Sequence, residues 1–295
     1  MTSQAWGEML LLALIWGGSF LAFAICLQEI PVFTTVAHRI IWGAIAIWII
    51  ALLRGWPLPP KAFWMPCLIM GLLNNVIPFS LIAWGQTTIE SGLTSILNGA
   101  TAIFGILLAS LFFADERLTP RKLIGVILGF IGVIIAIGID SLRNFDIRSM
   151  AQISVLGATV SYAFGGVWAR KKLKGLPAHA SALGMLTGAS VIMLPLAIWV
   201  DGAPSFDLMS QTWAAIAYIA LLATTGAYLL YYRVLAFAGS GNLMLVTLSI
   251  PPVSILLGAW VLKETVAPSS ILGFIVIALG MIILDGRLAG RRLKG

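Results

Sequence analysis

Long apolar blocks alternate along the chain with short polar or Gly/Pro-containing turns, and each block is about one membrane crossing in length. A bilayer core of about 30 Å takes about 20 residues of helix. Blocks of that size, nearly free of charge, cover residues 9–27, 31–53, 62–83, 91–114, 123–139, 149–169, 180–200, 208–232, 243–262 and 265–284. The pattern predicts an all-α polytopic membrane protein with ten transmembrane helices. Residues 62–89 carry no charge except at Lys61 before them, so the third and fourth helices are divided at residues 86–92. The eighth and ninth are divided at Gly239-Ser240-Gly241-Asn242, a turn signal in an apolar run. Residues 1–7 lack the Lys or Arg of a signal-peptide n-region, which predicts a retained first helix.

One polar interruption occurs twice. Ala114-Asp115-Glu116-Arg117-Leu118-Thr119-Pro120 separates two apolar runs, and Glu116, Pro120, Gly125 and Gly132 recur at the same spacing as Glu264, Pro268, Gly273 and Gly280. Trp64, Leu72 and Leu73 align with Trp213, Leu221 and Leu222 at an offset one residue longer. A duplicated chain follows, with halves 1–146 and 147–295 of five helices each. Because five is odd, the second half must enter the membrane from the opposite side. Inverted repeats around a central cavity are the common sequence sign of a secondary transporter working by alternating access.

Composition agrees with this picture: 60% of residues are hydrophobic and 10% charged, against roughly 45–50% and 25% in soluble domains. Basic residues set the orientation. With the N-terminus inside, cytoplasmic segments hold Arg54, Lys61, Arg117, Arg121, Lys122, Arg170, Lys171, Lys172, Lys174, Arg233, Arg287, Arg291, Arg292 and Lys294, against Arg143, Arg148 and Lys263 outside. Both termini are expected in the cytoplasm. The net charge of +7 then faces anionic lipid, and no nucleic-acid partner is needed to explain it.

Trp16-Gly17, Ser19-Phe20, Pro31 and Arg39, together with the two Glu…Pro…Gly…Gly signatures, resemble the EamA family of the drug/metabolite transporter superfamily. The resemblance spans the whole chain. It implies ten helices, a bacterial inner membrane and movement of small metabolites, often amino acids outward; length and aromatic content resemble the YddG-type aromatic amino acid exporters. Many relatives carry a lysine shortly after the Trp-Gly pair, where this chain has Ala24. Ion coupling or anion binding through that lysine is therefore not carried over.

Polar groups inside spans are costly and so point to function. The candidates for substrate contact are Trp16, Ser19, Asn74, Asn75, Ser80, Trp84, Asn98, Tyr162, Thr225, Tyr228 and Tyr232. Amides and hydroxyls supply both donors and acceptors for a zwitterion, and aromatic faces accept an apolar or cationic part. Against this, membrane Ser and Thr commonly bond back to their own helix, and Trp near span ends forms the interfacial belt. The adjacent amides Asn74-Asn75 stand out because one helix has difficulty satisfying both. Pro78, Arg39, Glu116, Glu264 and Pro251 are assigned gating or structural roles: prolines break the helix ladder, Arg39 is expected to snorkel or to pair with a carboxylate rather than to bind a substrate carboxylate directly, and each Glu to cap the next helix or bond a basic neighbour such as Arg117 or Lys263.

The sequence lacks a His-Glu-x-x-His zinc pattern, a phosphate loop and a pair of intramembrane aspartates, and Cys26 and Cys67 are isolated. Neither an enzyme nor a metal or other cofactor is implied. The expected function is export of amino acids, aromatic or neutral ones favoured, or of related amphipathic metabolites, by a protein for which a monomer is plausible. The rivals are an exporter of cationic drugs or other metabolites, a channel, and a structural membrane subunit.

Overall fold

The computed structural model describes residues 3–138, 147–231, 246 and 249–285. All regular structure in them is helical. In chain order the helices are α1 (Ser3–Cys26), α2 (Val32–Arg54), α3 (Lys61–Gln86), α4 (Ser91–Phe112), α5 (Pro120–Ile137), α6 (Ile147–Lys172), α7 (Ala178–Asp201), α8 (Ser210–Tyr231), α9 (Ser249–Leu262) and α10 (Pro268–Asp285). Eight candidate membrane spans lie among the described residues, α1 to α8, with α9 and α10 as shorter apolar helices. The charge-free stretch divides where the sequence places the break, α3 ending at Gln86 and α4 beginning at Ser91. The expected break at 239–242 lies outside the described residues.

Local chemistry sets the helix ends. Pro31 precedes α2 in extended conformation, and Gly55 closes that helix at φ 60°, where its N–H reaches the last carbonyls. Thr119 caps α5 by accepting from the Lys122 N–H at 3.3 Å, with Pro120 in the first turn. Leu52, Leu53, Leu111 and Leu256 are strongly exposed, as expected of a protein whose outer surface meets lipid chains. Trp199, 83% exposed near the end of α7, suits the interfacial belt.

Small residues allow the closest helix pairs. A Cβ on Gly132 would lie 2.8 Å from the Gly273 carbonyl oxygen, and one on Gly280 would lie 2.8 Å from that of Gly125. Thus α5 and α10 run antiparallel and meet backbone to backbone at the glycines that recur in the two signatures. Gly71 of α3 and Gly188 of α7 likewise leave no room for a Cβ at the α3–α7 crossing.

Candidate functional site

Three helices widen to π geometry, α9 over Gly258–Leu262 and, at places that match between the halves, α3 and α8. In α3 the ladder widens to a π-helix over Leu72–Val76, and in α8 over Tyr218–Gly226. The alignment of Leu72-Leu73 with Leu221-Leu222 puts the first segment onto the second. Pro78 supplies a cause in α3, because it has no N–H for the carbonyl of Asn74, and the Ile77 N–H reaches back to Leu72 instead. In α8 threonines do the work: the Thr224 hydroxyl donates to the Ile219 carbonyl at 2.8 Å and that of Thr225 to Ala220 at 3.2 Å, both five residues back. π segments recur at functional sites because they turn side chains that an α-helix would stack elsewhere.

The side chains so turned meet across the two halves of the chain. Tyr228 donates its hydroxyl to Oδ1 of Asn75 at 3.1 Å and accepts from Nδ2 of Asn74 at 3.1 Å. Nδ2 of Asn74 also lies 3.6 Å from the Met185 sulfur. Asn75 is wholly buried, and its Nδ2 has no partner among the described residues. Arg39 of α2, at 6% exposure, reaches the π segment of α8. Its Nε donates to the Thr224 hydroxyl at 3.0 Å, and its guanidinium lies 3.8 Å from the centroid of Phe79 and 5.0 Å from that of Phe23. Tyr162 of α6 completes the wall, its ring 6.5 Å from that of Phe79. The expectation that Arg39 snorkels or meets a carboxylate is not what is found: the side chain is directed inward, and no Asp or Glu among the described residues pairs with it.

Other sequence candidates sit elsewhere or serve the scaffold. Ser19 donates to the Trp16 carbonyl of its own helix at 2.6 Å, and Thr225 donates to the Gly43 carbonyl at 2.8 Å, tying α8 to α2. Trp16 donates to the Ala223 carbonyl at 3.2 Å, at the α8 π segment, and its ring is 5.9 Å from that of Tyr231. Trp84 packs into an apolar cluster with Leu93, Leu97 and Val155, away from the amides. Asn98 stands where α4 is interrupted between Ser91–Asn98 and Thr101–Phe112, and its Oδ1, like the hydroxyl of Ser80, is buried without a described partner. Pro251 is buried at the described start of α9. Tyr232 lies outside the described residues.

The two recurring glutamates have different kinds of neighbour from each other. Glu116 pairs with Lys122 at 3.2 Å and with Arg170 at 3.3 Å, and Asp115 also takes a hydrogen bond from Arg170. That bond holds the Asp115 carboxyl below its usual range. Glu264 reaches into the other half, where its carboxylate accepts from the Ser91 N–H at 3.0 Å and from the Ser91 hydroxyl at 2.6 Å, at the positive end of α4. Three more contacts join the halves on that face: Asp201 accepts from the Thr34 N–H at 2.7 Å, Glu29 from the Met209 N–H at 3.0 Å, and Arg148 meets Glu90 at 2.8 Å.

Phe23, Phe79 and Met185 were missed by sequence reasoning. They are apolar residues in apolar spans, and only the inward turn of Arg39 and Asn74 reveals them.

A model of the EamA-like transporter family matches residues 6–138 and again 149–284. The chain is 23% identical to the uncharacterized transporter YoaV of Bacillus subtilis, over 92% of each chain. It is 24% identical to the uncharacterized inner membrane transporter YedA of Escherichia coli, over 94% of this chain and 90% of that one. A probable amino-acid metabolite efflux pump of Salmonella typhimurium is 25% identical over 93% of this chain and 92% of its own. A solved crystal structure superposes over all of both chains with a TM-score of 0.70 at 18% identity, a likeness of fold alone.

Proposed function

Since the chain belongs to the EamA-like transporter family, we propose that this membrane transporter exports amino acids, aromatic and neutral ones favoured, or related amphipathic metabolites across the inner membrane by alternating access. Ten helices would form two inverted repeats, 1–146 and 147–295, with both termini cytoplasmic and with the lipid bilayer and a small-molecule substrate as partners. The antiparallel α5–α10 contact supports inversion. Exchanging the two copies carries the Gly125–Gly280 contact onto Gly132–Gly273, so the contact is its own partner about a two-fold axis. The matching π segments support the same relation.

The observation that carries the substrate reading is the Asn74-Asn75-Tyr228 cluster, built from both halves and walled by Tyr162, Phe79 and Phe23. It offers amide and hydroxyl groups to a polar head and rings to an apolar body, the composition of a small-molecule site. On the Glu264 face, the bonds from Glu29, Asp201, Glu90 and Glu264 hold the halves together and must break for the site to open there. The relative named as an amino-acid metabolite efflux pump favours the same substrate class. Counterflow in proteoliposomes with labelled neutral, aromatic, basic and acidic amino acids tests this: saturable exchange of neutral or aromatic members is expected, and rates equal to empty liposomes for all of them would overturn it. Flux linear in concentration with ohmic current would instead favour a channel.

A further inference from the structure

We infer that Arg39 is the carboxylate anchor of this site, so that the transported molecule bears a carboxylate and amines lacking one are poor ligands; this rests on the carrier reading above. The Thr224 hydroxyl gives its proton to Ile219 and accepts from Nε of Arg39. Tyr228 gives its proton to Asn75 and accepts from Asn74. With those acceptors engaged, the terminal amino groups of Arg39 make no hydrogen bond to a described residue, and the Asn75 amide nitrogen, fully buried, has no described partner either.

Two donors therefore remain, one of them on a full positive charge, beside one amide acceptor, Oδ1 of Asn74, that makes no hydrogen bond to a described residue. Guanidinium presents its N–H groups in a fork that fits the two oxygens of a carboxylate. The rings of Phe79 and Phe23 attract the cation, but cation–π attraction is smaller than the cost of leaving an ion at 6% exposure without a counter-charge. Among the described residues no Asp or Glu supplies that charge. A substrate carboxylate would supply it and take the Asn75 proton at the same time. The rings that flank the guanidinium would then lie against the substrate's apolar part.

The test uses the purified full chain in detergent, with affinities taken from ligand-dependent thermal shifts. Probes are L-phenylalanine and 3-phenylpropionate, which carry the carboxylate, and L-phenylalaninol and phenethylamine, which lack it; L-leucine and L-leucinol form an aliphatic pair. The native chain is expected to bind a carboxylate probe about 10- to 100-fold more tightly than its carboxylate-free counterpart, as for hydrogen bonds to a charged group. Arg39→Gln should abolish that ratio and Arg39→Lys should keep part of it. Equal affinities within each pair, an undiminished ratio in Arg39→Gln, or no binding of any carboxylate probe would overturn the assignment. If Arg39→Gln does not fold, the native ratio and Arg39→Lys decide. Counterflow of the same probes separates the two claims: transport of the amines and alcohols alone leaves a carrier without this anchor, whereas absence of all transport with a preserved binding ratio defeats the carrier reading and keeps the anchor.

Discussion

The α5–α10 pair and the α3–α8 pair hold corresponding places in the two halves of the sequence, yet they are joined in opposite ways. Between α5 and α10 there is no room even for a methyl group at Gly132, Gly273 or Gly280, and backbone lies on backbone. Between α3 and α8 the link passes through the long side chains of Asn74, Asn75 and Tyr228, over helices already widened to π geometry. A pair in backbone contact cannot separate without losing its whole interface, whereas side chains can exchange partners. The first pair is therefore suited to hold the halves and the second to take and release a ligand.

The comparison breaks most visibly at the glycines. Gly273→Leu places a branched side chain where the Gly132 carbonyl oxygen stands 2.6 Å from the Cβ position, and overpacking of this kind costs about 1–3 kcal/mol or more. The variant should show the largest loss of folded protein, read as yield and melting temperature in detergent. A normal melting temperature would mean that α5 and α10 are not the fixed joint. At the other pair the order of effects reverses. Tyr228→Phe removes the hydroxyl between two amides, and Asn75→Ala removes the second amide; a buried partner left unsatisfied costs about 1–3 kcal/mol. Transport should fall about tenfold or more with a smaller change in melting temperature than for Gly273→Leu. Unchanged kinetics in both variants would move the site elsewhere.

The difference between these pairs was only partly legible in the sequence. Helix positions followed from apolar length, and the joint could be located because Gly125, Gly132, Gly273 and Gly280 repeat, although repetition alone does not say that the two copies touch. Asn74 and Asn75 were conspicuous as paired amides in an apolar run, and Tyr228 as a phenol in another. Ser19 and Thr225 looked equally polar but bond to backbone carbonyls, a choice made by rotamer that composition does not encode. In the sequence a structural role for Arg39 outweighs binding of a substrate carboxylate, because a guanidinium some turns from the bilayer surface can point either way; packing against Phe79 settles it. The π segment of α8 left only the Thr224-Thr225 pair as a trace, and no proline.

At the recurring glutamates smaller effects are expected, and they differ between the two copies. Glu264 is preceded by Lys263 at φ 59°, a left-handed residue that turns the chain back so that the carboxylate enters the N-terminus of α4. Loss of such a cap costs about 0.5–2 kcal/mol. Glu264→Gln should therefore lower the melting temperature by a few degrees and, if the contact closes that face, shift the balance of exchange rates between the two sides. Glu116 is preceded by Asp115, ends a short 3₁₀ turn, and keeps its side chain at 42% exposure against Lys122 and Arg170. Exposed pairs contribute about 0–1 kcal/mol, so Glu116→Gln should be milder in both measurements. Equal effects would remove the distinction between the two ends.

The smallest effect belongs to Asp115. Its carboxyl is fully exposed and is held below the usual range mainly by the hydrogen bond from Arg170. A carboxyl depressed in the folded state contributes stability above its unfolded value, about pH 3.9, and loses it as the pH falls through the lower folded value. Any difference between the native chain and Asp115→Asn should thus be fully present above about pH 4 and fade as the pH falls through the lower folded value. Because water and salt screen an exposed pair, melting temperatures at neutral pH should agree within error and transport should be unaffected. A loss of transport at pH 7 in Asp115→Asn with the folded state intact would show that the polar turn after α4 takes part in gating. The two copies of the turn would then be equivalent in function despite their different partners.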